Sequence, residues 1–280
     1  MDLEPTDFGI PEVTELPLHT DHARKVAAVL DSPSDLQDGD PLPVLWHWAF
    51  GTPTTPTRAL GPDGHPEIPP GGPTEGLPRR MWAGGRVQVL GTLRLGTRPT
   101  RTSSILRADR KQARSGDLLV VTVEHRLTYD RRTLLIEEQD LVYRAQGAPI
   151  PAPAGTHREY APENGWAENL VRTPVDLFRF SAITFNSHRI HYDPAYATEV
   201  EGYPALVVHG PLSAMTLAES VRAHTGRELT SFSFRATAPL FVNVPFTLVG
   251  APSAEEGELA LKMVRNDGQT AMTATARVEG

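Results

Sequence analysis

The chain has no cysteine among its 280 residues, so neither a disulfide framework nor thiolate chemistry is open to it. No apolar run approaches the roughly 20 residues that a membrane-spanning helix needs. The first residues, Met1 to Glu15, are acidic and contain proline, without the basic-then-apolar order of a secretory signal. An excess of positive charge is also missing. The formal net charge of -7 argues against a dedicated nucleic-acid surface, which needs concentrated positive potential, while leaving room for a local basic patch that holds one small anion. These absences predict a cytoplasmic protein with neither membrane nor nucleic acid as partner. What is present suits a soluble globular protein, at 39% hydrophobic and 22% charged residues, and the length allows one large or two ordinary domains.

Proline and glycine divide the chain. Ala23, Val26, Ala27 and Leu30 recur at helical spacing, so a helix is expected over Asp21 to Leu30, capped by Thr20 or Asp21. Ten prolines and six glycines between Pro41 and Pro78 then impose a long loop, because proline fixes its backbone and lacks an amide donor. Loops of that length in a compact domain tend to cover or to function. Period-two alternation follows in four runs: Arg86 to Leu95 with a break at Gly91, Thr100 to Arg114, Leu118 to Thr128, and Thr133 to Arg144. Four consecutive strands with short turns read as an antiparallel meander. A second linker, Ala145 to Asn164, separates this from a similar order. There the expected helix, Leu212 to Ala223, is followed by strands over Thr230 to Ala238, Phe241 to Gly250, Glu258 to Arg265 and Thr270 to Val278. Asn266-Asp267-Gly268 is a hairpin signal between the last two. The pattern describes a duplicated α+β protein, divided into residues 1–150 and 165–280, whose helices cover the apolar faces of their sheets.

The segment Phe178 to Leu212 concentrates polar chemistry in apolar surroundings, with His188, His191 and His209 beside Asn186, Asp193 and Glu199. Buried polar groups are costly unless paired or used, and imidazole is the side chain best matched to proton transfer near neutral pH. Two segments here, Phe185-Asn186-Ser187-His188-Arg189-Ile190-His191-Tyr192-Asp193 and Val207-Val208-His209-Gly210-Pro211, resemble the MaoC-type (R)-specific hydratases and dehydratases. The likeness is to their double-hot-dog branch of mesaconyl-CoA hydratases and mitochondrial hydroxyacyl-thioester dehydratases. The first half is similar to that branch over Leu42 to Trp48, Leu60 to Pro66 and Pro78 to Gly85.

The resemblance implies a double hot-dog fold, two antiparallel sheets each wrapped on a central helix, with a catalytic second half and a degenerate first half. It implies reversible hydration of a 2-enoyl thioester carried on coenzyme A or acyl carrier protein, without metal or redox cofactor, by a monomer or homodimer. A mesaconyl-C4-CoA-like substrate is favoured over a longer hydroxyacyl chain. By position, His191 matches the family's catalytic histidine and Gly210 the glycine whose amide holds the thioester oxygen, a role suited to a helix amino terminus. The single-domain members place aspartate where this chain has Asn186, and many place a serine where it has Ala218. An amide cannot serve as a base, so the expectation is that Asn186 orients water while His191 transfers protons.

Each of these residues also has a structural reading. His191 could be a hydrogen-bonded core histidine. His188 either enters the site or braces its loop, His209 supports a turn, and Asp193 before Pro194 starts one. His188 and His191 with Glu199 invite a zinc reading, but no strong metal motif is present. Arg79, Arg80, Arg110 and Lys111 could meet coenzyme A phosphates or form a solvated cluster. Arg189 could receive a substrate carboxylate or face solvent. Trp46, Trp48 and Trp82 are packing residues that could roof the acyl pocket. The rival functions are a non-catalytic acyl-thioester-binding protein, favoured by the missing aspartate, and a thioesterase, which needs a carboxylate base that the second half does not place.

Overall fold

The alternating runs form ten strands of one antiparallel sheet in a computed structural model that describes residues 3–67, 71–113, 116–145, 147, 149–155, 160 and 162–279. The strands are β1 (Val13–Glu15), β2 (Arg79–Val89), β3 (Thr100–Ala113), β4 (Gly116–Tyr129) and β5 (Arg132–Arg144). They continue as β6 (Trp166–Leu170), β7 (Leu229–Ala236), β8 (Phe246–Pro252), β9 (Glu258–Arg265) and β10 (Thr270–Val278). The helices are α1 (Thr20–Leu30), α2 (Pro174–Thr184) and α3 (Gly210–Thr225). Parts of the expected Pro41–Pro78 loop and Ala145–Asn164 linker, and Arg114 at the end of one expected strand, lie outside the described residues.

Strand order runs β1-β3-β4-β5-β2 and then β7-β10-β9-β8-β6. Read from its outer edge, each half has the same order, and the two expected sheets are halves of one. The seam is the β2–β7 ladder from Gly84 opposite Arg235 to Gln88 opposite Ser231. A Cβ at Gly84 would sit 2.7 Å from the Phe234 carbonyl oxygen, and one at Gly85 the same distance from that of Glu138. Glycine at both positions lets the backbones approach. A bulge between Trp82 and Gly84 accompanies the join.

The meanders differ from the expected four-strand order. In each half only three strands are consecutive neighbours, and the first long strand pairs with the last, β2 with β5 and β7 with β10. Thr92 to Leu95 does not continue β2; its buried leucines instead pair by backbone with Leu42 and Gly39. β8 begins at Phe246, because Asn243 turns the chain at φ 58°. Helix α2 is an addition to the expected elements. Thr173 and Asp176 form a reciprocal capping box around Pro174 in its first turn.

Helix α3 buries Leu212, Ala214, Met215, Leu217, Ala218 and Val221 against the strands of the second half. Helix α1 buries Ala23, Val26, Ala27 and Val29, but packs on α2 and the turn at Trp46–Ala49. Its amino-terminal flank is His19, with no side-chain cap from Thr20 or Asp21. Phe8 and Ile10 cover the remaining face of the first half-sheet, against Leu119, Val121, Leu141 and Tyr143. The first half-sheet is therefore covered by the segment around Phe8 and Ile10 as well as by helical packing.

Candidate active site

Helix α2 stops at Phe185 (φ 51°), and the following loop carries the histidines. Asn186 folds its Oδ1 back to accept the His188 amide at 2.9 Å. A single 3₁₀ turn, Arg189–His191, then sets His191 one turn from His188. The first-half loop around Asp63 docks directly onto this segment. The Arg189 amide donates to the Asp63 carbonyl at 2.8 Å, the Arg189 guanidinium to the Pro62 carbonyl at 3.0 Å, and the Ser187 hydroxyl to the Gly64 carbonyl. Gly64 has φ 89°, and a Cβ there would lie 1.9 Å from the Ser187 carbonyl oxygen, so this contact requires glycine.

Docking brings four imidazoles into one line. His65 and His188 have ring centroids 4.1 Å apart, His188 and His191 lie 5.4 Å apart at 89°, and His191 stacks on His209 at 3.6 Å and 20°. His191 Nδ1 is 2.7 Å from the Val207 carbonyl. A carbonyl only accepts, so Nδ1 carries the proton and Nε2 presents a lone pair. His209 is fully buried, bonds the Ser181 hydroxyl through Nε2 at 2.9 Å, and supports the His191 ring from behind. Its Nδ1 has no partner among the described residues. At the other end Asp63 accepts the His65 amide and the His65 Nδ1, both at 3.0 Å.

Burial controls the charge of His188, His191 and His209. It pushes His191 down to about 3, helped by repulsion from His188 and opposed by the Val207 carbonyl. It pushes His188 down to about 3 as well, with His65 adding to the effect and the Asp63 charge opposing it. His209 is lowered too, by burial and by its neighbour His191. Burial disfavours the Asp63 carboxylate, but the hydrogen bonds and charge of His65 prevail and hold it at about 2.

A stability prediction follows for His188 and His191. Between pH 6.5 and about 3 the unfolded chain binds protons that the folded chain refuses, so stability falls as pH drops through that window. The slope is up to about 1.4 kcal/mol per pH unit for each histidine. The urea midpoint is expected to fall steadily from pH 7 to pH 5, and less steeply in His191→Gln. A midpoint independent of pH there would contradict the buried neutral histidines.

Asp63, His65, His188 and His191, but not His209, face a cavity of about 1000 Å³ lined by residues of both halves. His65, Asn186, His188, His191 and Gly210 all lie on its wall. Gly210 is the first residue of α3, where amides have no partner one turn back and the dipole is positive. Trp48 and Trp82 meet edge to face at 4.8 Å and line the same space, with Trp82 against Gly210. Trp46 is buried instead, its indole donating to Glu219 at 2.8 Å.

Residues 45–242 match the family model described as Htd2, hydroxyacyl-thioester dehydratase type 2. The chain is a member of that family. It is 43% identical over 275 residues to a mesaconyl-C(4)-CoA hydratase of Chloroflexus aurantiacus, covering 98% of this chain and 97% of that one. It is 31% identical over 131 residues to a mitochondrial hydroxyacyl-thioester dehydratase type 2 of Schizosaccharomyces pombe, covering 46% and 43%. Crystal structures of HtdX from Mycobacterium tuberculosis (18% identity, TM-score 0.64, covering 95% and 98%) and of a MaoC-like dehydratase from Phytophthora capsici (12%, 0.69, 95% of each) share the hot-dog fold. The protein is a hydro-lyase acting on an enoyl or hydroxyacyl CoA-type thioester. No helix among the described residues is long and apolar enough to cross a membrane.

Within this member of the dehydratase family the basic residues separate by location. Arg80 lines the cavity. Arg79 also reaches its wall, but is buried in an ion pair with Glu201 at 3.0 Å. Arg110 and Lys111 stand on exposed positions of β3 away from the wall, Arg110 donating to the Pro73 carbonyl at 2.8 Å. Arg189, considered above for a substrate carboxylate, is committed elsewhere. It pairs with Asp193 at 2.7 Å, lies over the Tyr196 ring at 4.2 Å, and is absent from the cavity wall. Asp193 also accepts the Tyr196 amide, at 3.1 Å.

Glu199 is exposed and does not join His188 and His191. Ligand atoms of Asp63, His65 and His188 do come within 4.8 Å of one another. Both Asp63 oxygens already accept from His65, which makes this a hydrogen-bonded acid–base cluster. Sequence reasoning did not assign a role to Asp63, His65 or Arg101. The Asp-Gly-His turn was visible as family-like wording, but its approach to a loop more than 120 residues away was not.

Proposed function

We propose that this chain catalyses the reversible syn hydration of a short, branched, dicarboxylic 2-enoyl-CoA of the mesaconyl-C4 type. The observation that carries the reading is that His191, its Nδ1–H held by the Val207 carbonyl, lines the same cavity as Gly210, the first residue of α3. Water held at His191 Nε2 adds to C3, the thioester oxygen takes up charge at the Gly210 N–H, and C2 is protonated. Asn186 has its oxygen occupied by the His188 amide, so its NH₂ donates to the water oxygen and orients it. Residues 165–280 supply this catalytic loop and helix, and residues 1–150 shape the acyl end of the cavity. Arg80 suits a coenzyme A phosphate. A monomer contains both halves of the site, and a homodimer of such chains is compatible with it. The absence of cysteine fits a cytoplasmic location.

The dicarboxylic preference is supported by Arg101. It shares the inner face of β3 with Ser103 and lines the cavity. Its Nη2 donates to the Gly51 carbonyl at 3.1 Å, while its buried Nε has no hydrogen-bond partner among the described residues. The acid within electrostatic reach is Glu137, whose oxygens already accept from His47, Trp48 and Gln139. A half-buried guanidinium with no contacting counter-ion among the described residues is costly, and a substrate carboxylate would offset that cost.

A panel of C4 to C10 enoyl-CoAs with mesaconyl-C4-CoA tests the reading, and no turnover on any of them would remove it. Arg101→Gln is expected to lower kcat/KM for mesaconyl-C4-CoA by roughly 10²-fold more than for crotonyl-CoA, which lacks the second carboxylate. Equal losses on both would leave a longer hydroxyacyl chain, on coenzyme A or acyl carrier protein, as the substrate.

A further inference from the structure

Hydration needs two proton exchanges, one at the water oxygen and one at C2, and the second half supplies one well-placed imidazole for them. An amide at Asn186 takes up no proton. His191 is buried where positive charge is disfavoured, and so is His188. The first half contributes what is missing. Asp63 and His65 form a carboxylate–imidazole pair at 3.0 Å, on the same cavity wall, with the His65 ring 4.1 Å from His188. Because the ionised Asp63 accepts from Nδ1, His65 keeps Nε2 for exchange. A carboxylate on the opposite nitrogen stabilises the imidazolium that forms there. Both loops are locked by the Arg189 amide on the Asp63 carbonyl and the Ser187 hydroxyl on the Gly64 carbonyl, so the pair is held by the same contact that positions the histidine loop.

We infer that His65, oriented by Asp63, exchanges the C2 proton, and that the hydratase site is therefore assembled from both halves of the chain. This rests on the hydration reading above and adds a second catalytic group to it. In the hydration direction the water oxygen bonds to C3 as its proton passes to His191 Nε2. The C2–C3 π pair shifts and places charge on the thioester oxygen at Gly210. His65, entering as imidazolium, gives its Nε2 proton to C2, and the carbonyl re-forms. His191 then releases its proton to solvent and His65 takes one up, so that both imidazoles return to their starting states. One water is consumed and the protein neither gains nor loses a proton. Asp63 is a positioning residue in this scheme.

The test separates the two exchanges. The 3-hydroxyacyl-CoA product is incubated with enzyme in D₂O, and C2 deuteration is followed by NMR beside turnover. His65→Gln is expected to lose about 10²–10⁴-fold in kcat, with KM within about threefold of wild type and C2 exchange falling in parallel. Asp63→Asn should show the same split to a smaller extent, which a merely structural role would not produce. His191→Ala should lose turnover while retaining measurable C2 exchange. Three results would overturn the inference: His65→Gln turning over within tenfold of wild type, C2 exchange surviving in His65→Gln but not in His191→Ala, or activity removed by EDTA and restored by Zn²⁺. Wild-type turnover with an unaffected His65→Gln would sink this inference alone, whereas an inactive wild type would sink the proposed function with it.

Discussion

His191→Ala is expected to lower kcat by about 10²–10⁴-fold, the range for loss of a general acid–base group. The ring is only 7% exposed and its Nδ1–H is taken by Val207, which leaves the lone pair on Nε2. Burial holds it at about 3, so it is neutral throughout pH 6 to 8. Its contribution to kcat/KM is therefore flat over that range, and a fall would set in only well below it. KM should change little, because no binding contact to the thioester is removed. Asn186→Ala, which removes an orienting donor but no proton carrier, should cost less. A loss below tenfold in His191→Ala, or full turnover in Asn186→Ala, would sink this division of labour. The alanine leaves the buried Val207 carbonyl without its donor, at about 1–3 kcal/mol, so thermal midpoints belong beside the kinetics.

Glu137→Leu should be the most destabilising single change considered, by about 3–5 kcal/mol, as for breaking a buried hydrogen-bonded charge pair. Glu137 is 2% exposed. It accepts from His47 Nε2 at 2.9 Å, Trp48 Nε1 at 2.6 Å and Gln139 Nε2 at 2.8 Å. Burial alone would favour the protonated acid, but the His47 bond and charge, with smaller help from His125 and Gln139, hold it at about 2. Leucine has nearly the right volume but leaves one buried donor, His47, and two half-buried ones, Trp48 and Gln139, without an acceptor. At about 2–4 °C per kcal/mol for a chain of this size, the midpoint should fall by roughly 6–20 °C. It should also disturb Trp48, and through it the cavity wall. A midpoint within 2 °C of wild type would show that the network contributes nothing to stability.

Such a network explains why parts of the molecule were hard to read from the sequence. Strands β9 and β10 are found with the expected limits, because strict alternation and an Asn-Asp-Gly turn are local signals. The Gly84–Gly85 pair carried no local meaning; its purpose is the seam with β7, more than 140 residues away. Likewise Glu137 looks like an outward charge on an alternating strand until His47 and Trp48 fold over it. Helix α2 was legible in principle from Thr173-Pro174-Val175-Asp176, but its apolar residues merged with the histidine segment that follows.

The sequence by itself determined the class of the fold, the two similar halves and the resemblance to thioester hydratases, and it nominated His191 and Gly210 as the candidates proposed above. Each of these depends on spacing along one stretch of chain or on wording preserved within it. Tertiary structure alone decided that the halves share one sheet, that Arg189 turns to Asp193 and away from the cavity, and that Arg101 faces into it. It also brought Asp63 and His65 to the histidine loop. Those outcomes are set by which buried groups find partners across more than 100 residues. Periodicity cannot report that pairing, because it is chosen by packing and desolvation once the two halves meet.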